Sequence, residues 1–441
     1  HGEENLYKTI TGMGACFIGR NNIPLLYREG QFGTRTSGGA DASNARYIWT
    51  KLDMVTRLLF RPEDDPLLTY KEEDGQRIEP EFFVPIIPMI CVNGCVTGIG
   101  TGWSSNIPCY NPLDLIECIK IWLENDGNVS QELEDGTIIS SLPELKPWYR
   151  GYKGEIVSEG GKKYISWGVV EEIKGGCKVT ELPVGMWTKN FEAQLADMFD
   201  EKQIGKYRNN SEPRTIDFTI TSRADGAECT ASGLGLYKAI STSNMVVFDS
   251  GNRLRKYDTI DEMICEYCGV RYAYYTKRKE YMIRMIQREL CVLKGKKRFL
   301  EEVRNGDIQL FTENEKGEKD YFTTEELISV LSERGYDDMS ENDSENTEED
   351  DGEEKKETRH GYDYLLRMQI SSITLEKIQK LHREIQHKEA ELERVMALTE
   401  KGMWLSDIED FLKVYPDFEK SLLKQPPKPS KEPSKKLKLK K

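Results

Sequence analysis

The chain has 441 residues, 38% hydrophobic and 31% charged, with a formal net charge of −14. That is enough for roughly two to four domains with a globular balance and a polar excess. The longest apolar stretch, FFVPIIPMICV at 82–92, is too short for a bilayer span and holds two prolines, and the ten cysteines lack framework spacing. A transmembrane helix and a disulfide scaffold are thereby excluded, and reduced thiols of an intracellular protein with no membrane partner are expected.

The chain opens HGEENLYKTI, an amphipathic helical pattern without an initiator Met or a signal peptide, so it is expected to be cut from something longer. Residues 1–147 are punctuated by Gly and Pro and hold short apolar runs. They read as a mixed α/β region with functional loops. Within it, RPEDDP places Asp64 and Asp65 in a Pro-rich turn, read as a solvated loop rather than a metal-binding pair. From 148 to 259 the pattern alternates. GYKGEIVS, KKYISWGVV, CKVTELP and TIDFTITS read as strands joined by glycine turns.

Helical periodicity takes over at 260. Ile283 and Leu290 recur seven apart, and Ile286, Leu293 and Leu300 do so three positions out of phase. Ile378, Ile385 and Leu392 repeat the pattern, flanked by Leu381 and Val395. Such stripes predict two long helices in an antiparallel coiled coil, with something at its far end. Cys265 and Cys268 form a CxxC in this helical pattern without two further ligands at zinc spacing, and read as core thiols. Residues 337–357 carry twelve acids against two lysines and are expected to be a disordered insert. Residues 416–441 are read as a basic disordered tail, with seven lysines and one glutamate from 425 onward. Local patches, not net charge, govern polyanion binding, so overall acidity does not exclude a nucleic-acid partner.

The stretch ASNARYIWT, residues 42–50, sets Arg46 directly before Tyr47. A phenol titrates near pH 10 and attacks poorly unless a cation stabilises its phenolate. Arginine stays protonated and can hold a phosphate through paired N–H donors. Upstream, GQFGTRTSGGA at 30–40 sets Arg35 among glycines that let backbone approach a ligand. A cationic, glycine-rich loop suits a phosphodiester. The bland alternative is a surface loop beside a packed aromatic, since the chain has 21 tyrosines.

The ordered motifs HGEENLYKTI, GQFGTR, ARYIWTKL, RIEPEFFVPIIPMI, GIGTGWSSNIP, ELPVGMWT, SNMVVFD and YYTKRKEYM resemble the eukaryotic-type (type IIA) DNA topoisomerase II family, in its breakage–reunion region. The resemblance covers most of residues 1–305 and, more loosely, 373–410. It implies an α+β multidomain fold: a partial winged-helix-type cleavage domain at 1–147, a strand-rich tower at 148–259, and a coiled coil with a helical dimer gate at 260–415. It matches Tyr47 to the tyrosine that becomes linked to a DNA 5′ phosphate and Arg46 to its phosphate-contacting neighbour. His1 matches a histidine that stabilises the transition state, and Ile99 an isoleucine that wedges between base pairs. Arg35, Gln31 and Lys51, in the same motifs, are read as DNA-binding. Double-stranded DNA, a homodimer and a nuclear location are implied. So are Mg2+ and ATP, both expected to bind in regions absent from this chain, which alone should cleave poorly. Two departures stand out. Ala45 occupies a position where the family often has proline, and the loop between Gly94 and Gly98 is one residue longer than usual.

Three other readings remain. A non-catalytic DNA-bending dimer would keep the scaffold without the reaction. A chain completed in trans by a metal-binding and ATPase partner would share it. A coiled-coil structural protein would explain the heptads but leave GQFGTR, Arg46–Tyr47 and GIGTGW without a role.

Overall fold

The computed structural model describes residues 2–100, 102–132, 138–309, 311–313, 319–339, 361–368 and 374–423. The fold is α+β. Residues 1–275 with 401–441 form one compact unit and residues 276–400 a second.

The first unit begins with the helix Glu3–Gly14. An antiparallel strand pair follows, Leu26–Glu29 against Trp49–Leu52, with Arg28 opposite Thr50. Asn22, 1% exposed, holds this region together. Its amide donates to the carbonyls of Val92, Tyr110 and Trp148 at 2.9, 3.1 and 3.1 Å, so one side chain serves three acceptors from distant segments, two of them buried. The helix Pro112–Glu124 starts where Pro suits the first turn and Asn111 caps it by accepting from the Leu113 N–H at 3.0 Å. Leu115, Ile116, Ile119 and Leu123 form its buried face.

The expected strands of 148–259 are present. KKYISWGVV is two strands, Lys163–Trp167 and Val169–Ile173, in different sheets. Gly168 lies between them, where a Cβ would stand 2.7 Å from the Glu181 carbonyl oxygen, so only glycine passes. The strand Gly176–Glu181 alternates half-buried and buried residues, as one face against a core requires. The helix Thr188–Asp200 covers that face, with Phe191 edge-on to Phe218 at 5.0 Å.

Two expectations need correction. Asp64 is not solvated. The 3-10 turn Pro62–Leu67 aims it inward, and its carboxylate meets Arg271 at 2.6 Å with both side chains buried. Nor does disorder begin at 416, because the helix Glu400–Leu423 runs through it with Phe418 and Leu422 in the core. Residues 424–441 and most of the acidic segment lie outside the described residues. On the helix Ile260–Asn305, Cys268 is buried, as a core thiol would be, whereas Cys265 is only half-buried.

In the second unit, this helix packs against Leu375–Ala397. Ile286 and Leu290 meet Ile385 and Val395, whereas Leu300 meets Ile378 and Leu381. Contacts ascending one helix and descending the other make the pair antiparallel. Near Leu300, a small cluster gathers Phe299, Ile308, Leu331, Tyr336, Tyr362 and Leu365 at one end of the pair. No helix among the described residues is long and apolar enough to cross a membrane.

Candidate active site

Tyr47 ends a single 3-10 turn, Ala45–Tyr47. Asn44 caps it: its Oδ1 accepts from the Arg46 N–H at 3.3 Å and from Arg46 Nε at 3.4 Å, and its carbonyl accepts from the Tyr47 N–H at 2.9 Å. The chain then enters the strand Trp49–Leu52, so a cap on one side and a ladder on the other fix the turn. Tyr47 is 64% exposed, and the Arg46 guanidinium lies 5.7 Å from its ring centroid. The Arg46 terminal nitrogens make no hydrogen bond among the described residues, which leaves them available to an anion. Phenol and cation thus face solvent together.

The preceding loop is braced from within. Asp41 accepts from the Thr34 N–H at 2.9 Å, the Thr34 hydroxyl at 2.5 Å and Gln31 Nε2 at 3.3 Å. Burial pushes the Asp41 carboxyl up, but these hydrogen bonds outweigh it and hold the group below its ordinary value. The Ser43 N–H donates to the Gln31 carbonyl at 2.9 Å and closes the loop.

The other expected residues divide. Gln31 is exposed but engaged with Asp41. Lys51 is exposed, its Nζ 5.3 Å from the Tyr27 ring centroid. Arg35 departs from expectation. It is 4% exposed, and its Nη2 contacts Glu181 Oε1 at 2.5 Å and the Leu182 carbonyl at 2.8 Å. That guanidinium is committed inside the protein, so it is not presented to a DNA phosphate. Ile99 lies in the strand Cys95–Gly100, opposite Ser104 of Trp103–Ile107. The register shifts between Cys95 and Gly98, where the strand gains one residue on its partner. The strand thus carries a bulge just before Ile99. His1 lies outside the described residues.

Sequence reasoning missed Asn44 and Glu181. Asn before a short turn is a cap signal and could have been read. Glu181 has no local signal, because its partner is 146 positions away. A groove of about 520 Å³ beside the loop is lined by Arg28, Gln31, Thr34, Arg35, Arg150 and Lys153 among others. Arg28 and Arg150 spend donors there on main-chain carbonyls, of Gly14 at 3.3 Å and of Cys16 at 2.6 Å.

Among the described residues no three His, Cys, Asp or Glu side chains gather as metal ligands. Asp64 is taken by Arg271, and its neighbour Asp65 pairs with Arg57 at 2.5 Å. These side chains do not fit a Mg2+ site.

Comparison with known proteins follows the same geometry. Residues 1–409 match the family model for the A chain of DNA gyrase/topoisomerase IV. The chain is 34% identical to a DNA topoisomerase 2 of Penicillium chrysogenum, over 93% of this chain and 26% of that protein. It is 37% identical to a Plasmodium falciparum DNA topoisomerase 2, over 93% of this chain and 29% of that protein. It therefore spans between a quarter and a third of these relatives. A crystal structure of the Plasmodium falciparum topoisomerase II DNA-binding, cleavage and re-ligation domain superposes with a TM-score of 0.78 at 35% identity, covering 96% of this chain and 56% of that one.

Proposed function

Since this chain belongs to the type II DNA topoisomerases, we propose that it breaks and rejoins duplex DNA through Tyr47. The observation that carries the proposal is the capped turn presenting an exposed phenol with the Arg46 guanidinium beside it. In the reaction, the Tyr47 phenolate oxygen attacks a backbone phosphorus, the bond to the 3′ oxygen breaks, and a 5′-phosphotyrosyl ester forms. Arg46 steadies the charge that builds on the phosphoryl oxygens. The ester keeps the energy of the broken bond, so return of the 3′ hydroxyl reseals the strand without another energy source.

Two copies of the chain, each cutting one strand, would make a double-strand break and hold both ends. Ile99 follows the bulge within its strand, where DNA would be bent, an apolar wedge costing roughly a few kcal/mol of unstacking. His1 would donate a hydrogen bond in the transition state. Exposed Lys51 would contact the backbone. We assign cleavage to 1–147, a supporting surface to 148–259, and a dimer gate to the helical region 260–415. Mg2+, ATP hydrolysis and passage of a second duplex belong on this reading to the longer protein, acting in the nucleus.

A duplex whose scissile 3′ oxygen is replaced by bridging sulfur tests the assignment. Thiolate is a far better leaving group, so attack asks little of groups outside this chain. The chain should form a denaturation-stable adduct with this duplex, and Tyr47→Phe should form none. Equal adduct from Tyr47→Phe, or none from the wild type, would overturn the reading. The non-catalytic dimer predicts that second result.

A further inference from the structure

We propose that the buried Arg35–Glu181 ion pair is a positioning latch that docks the loop leading to Tyr47 onto the segment 181–189, and so sets where Arg46 and Tyr47 stand. This deepens the reading above and rests on it.

The latch is fully built. Glu181 and Arg35 are 2% and 4% exposed. Besides Arg35, the Glu181 carboxylate accepts from the Leu182 N–H at 2.9 Å and from the Lys153 N–H at 3.2 Å, one on each oxygen. Around it, the Lys189 N–H donates to the Thr36 carbonyl at 3.0 Å, and Arg20 Nη2 donates to the Gly38 carbonyl at 2.9 Å while its guanidinium lies 5.9 Å from the Trp187 ring centroid. Gly38 has φ +64° and sits so close to Trp187 that a Cβ would overlap the indole nitrogen. One face of the loop is therefore held at Arg35, Thr36 and Gly38.

The other face passes that position on. The Asp41–Thr34 brace and the Ser43–Gln31 hydrogen bond make residues 31–43 a closed loop, and its ends continue into the strand pair that flanks Tyr47. A shift at Arg35 therefore moves the root of the Arg46–Tyr47 turn.

Physical chemistry says why a pair this deep would serve position rather than stability. Desolvating two charges offsets most of their attraction, and an apolar replacement of similar size is often no less stable. What the pair supplies is direction: a guanidinium held by one carboxylate oxygen and one carbonyl has little freedom. Displacing a reacting group by about 1 Å can cost roughly a hundredfold in rate.

The test uses the full chain and the sulfur-bridged duplex. Glu181→Gln should slow adduct formation by roughly tenfold or more, with duplex affinity changed less than about twofold and faster amide exchange across 31–48. The double variant Arg35→Met/Glu181→Gln, which strands no charge and keeps an acceptor at 181, should melt above Glu181→Gln yet show the same slow adduct, separating position from stability. The reversed pair Arg35→Glu/Glu181→Arg should recover part of the rate. An unchanged adduct rate in Glu181→Gln, or a rate that simply follows melting temperature through the series, would overturn the latch. A wild type that forms no adduct would overturn the cleavage reading instead. The latch is then judged on exchange alone, and unchanged protection at 31–48 in Glu181→Gln sinks it.

Discussion

Arg271 and Asp64 are 207 positions apart and meet at 2.6 Å, with 0% and 5% of their side chains exposed. The next residue, Asp65, pairs with Arg57 at a similar distance, but with those side chains 47% and 39% exposed. Identical neighbouring carboxylates thus sit in opposite dielectric settings. Removing one partner of a buried pair costs up to about 3–5 kcal/mol, less where a second carboxylate remains, as Asp407 does for Arg271 at 3.8 Å, whereas an exposed pair contributes at most about 1 kcal/mol. Asp64→Asn should therefore lower the urea midpoint at neutral pH far more than Asp65→Asn, and equal shifts would refute the contrast.

Asp41 gives the loop a pH dependence whose sign can be worked out. Its folded value is lowered despite the opposing effect of burial, because the Thr34 hydroxyl and N–H favour the carboxylate. A group whose value is depressed on folding stabilises the fold above its unfolded value, about 3.9 for aspartate. That stabilisation fades as pH falls through the folded value. Amide exchange at 31–43, corrected for intrinsic rates, should rise as pH drops below about 4. Asp41→Asn should show loosened exchange at neutral pH and lose that pH response.

Ala45 stands where proline would be expected, and the structure is already prepared for proline. Asn44 has φ −59° and ψ 141°, the extended geometry favoured before proline. Position 45 begins the 3-10 turn, and its N–H donates no hydrogen bond among the described residues. Ala45→Pro should raise stability by about 0.4–1 kcal/mol through the unfolded chain. A higher melting temperature with the adduct retained is the expected outcome. A lower one would mean that the turn needs alanine's freedom.

The features legible in the sequence were those with local causes. Alternation revealed the strand Gly176–Glu181, because one face of it covers the core. Heptads revealed the antiparallel pair, whose stripes at Leu290 and Ile385 are its contact. Arg46 beside Tyr47 was legible because adjacency is itself the signal. The role of Arg35 was not, since a cation in a glycine loop reads the same whether it meets a phosphate or a carboxylate 146 positions on. Asp64 failed for the same reason, its partner being Arg271. The helix Glu400–Leu423 was within reach of periodicity, with Trp404, Ile408, Phe411, Tyr415, Phe418 and Leu422 buried at spacings of three and four. Pro416 and the lysine-rich end that follows argue against it locally. Burial of that apolar stripe outweighs the local cost of proline.

The antiparallel pair separates apolar from ionic contributions to its own stability. Leu290 is buried against Ile385 and Val395. Around this seam, Lys294 meets Glu389 at 2.7 Å and Lys388 meets Glu289 at 2.7 Å. The Lys294 and Glu389 side chains are 55% and 47% exposed, so water and salt screen their attraction. Leu290→Ala loses transfer energy and leaves a cavity, together about 2–5 kcal/mol. Lys294→Ala should cost less than about 1 kcal/mol, and that cost should vanish at high salt. Amide exchange within 283–300 and 378–395 reads both: strong acceleration for Leu290→Ala, and a small, salt-erased one for Lys294→Ala. Comparable acceleration in the two variants would mean that the ion pairs, not the apolar seam, hold the helices together.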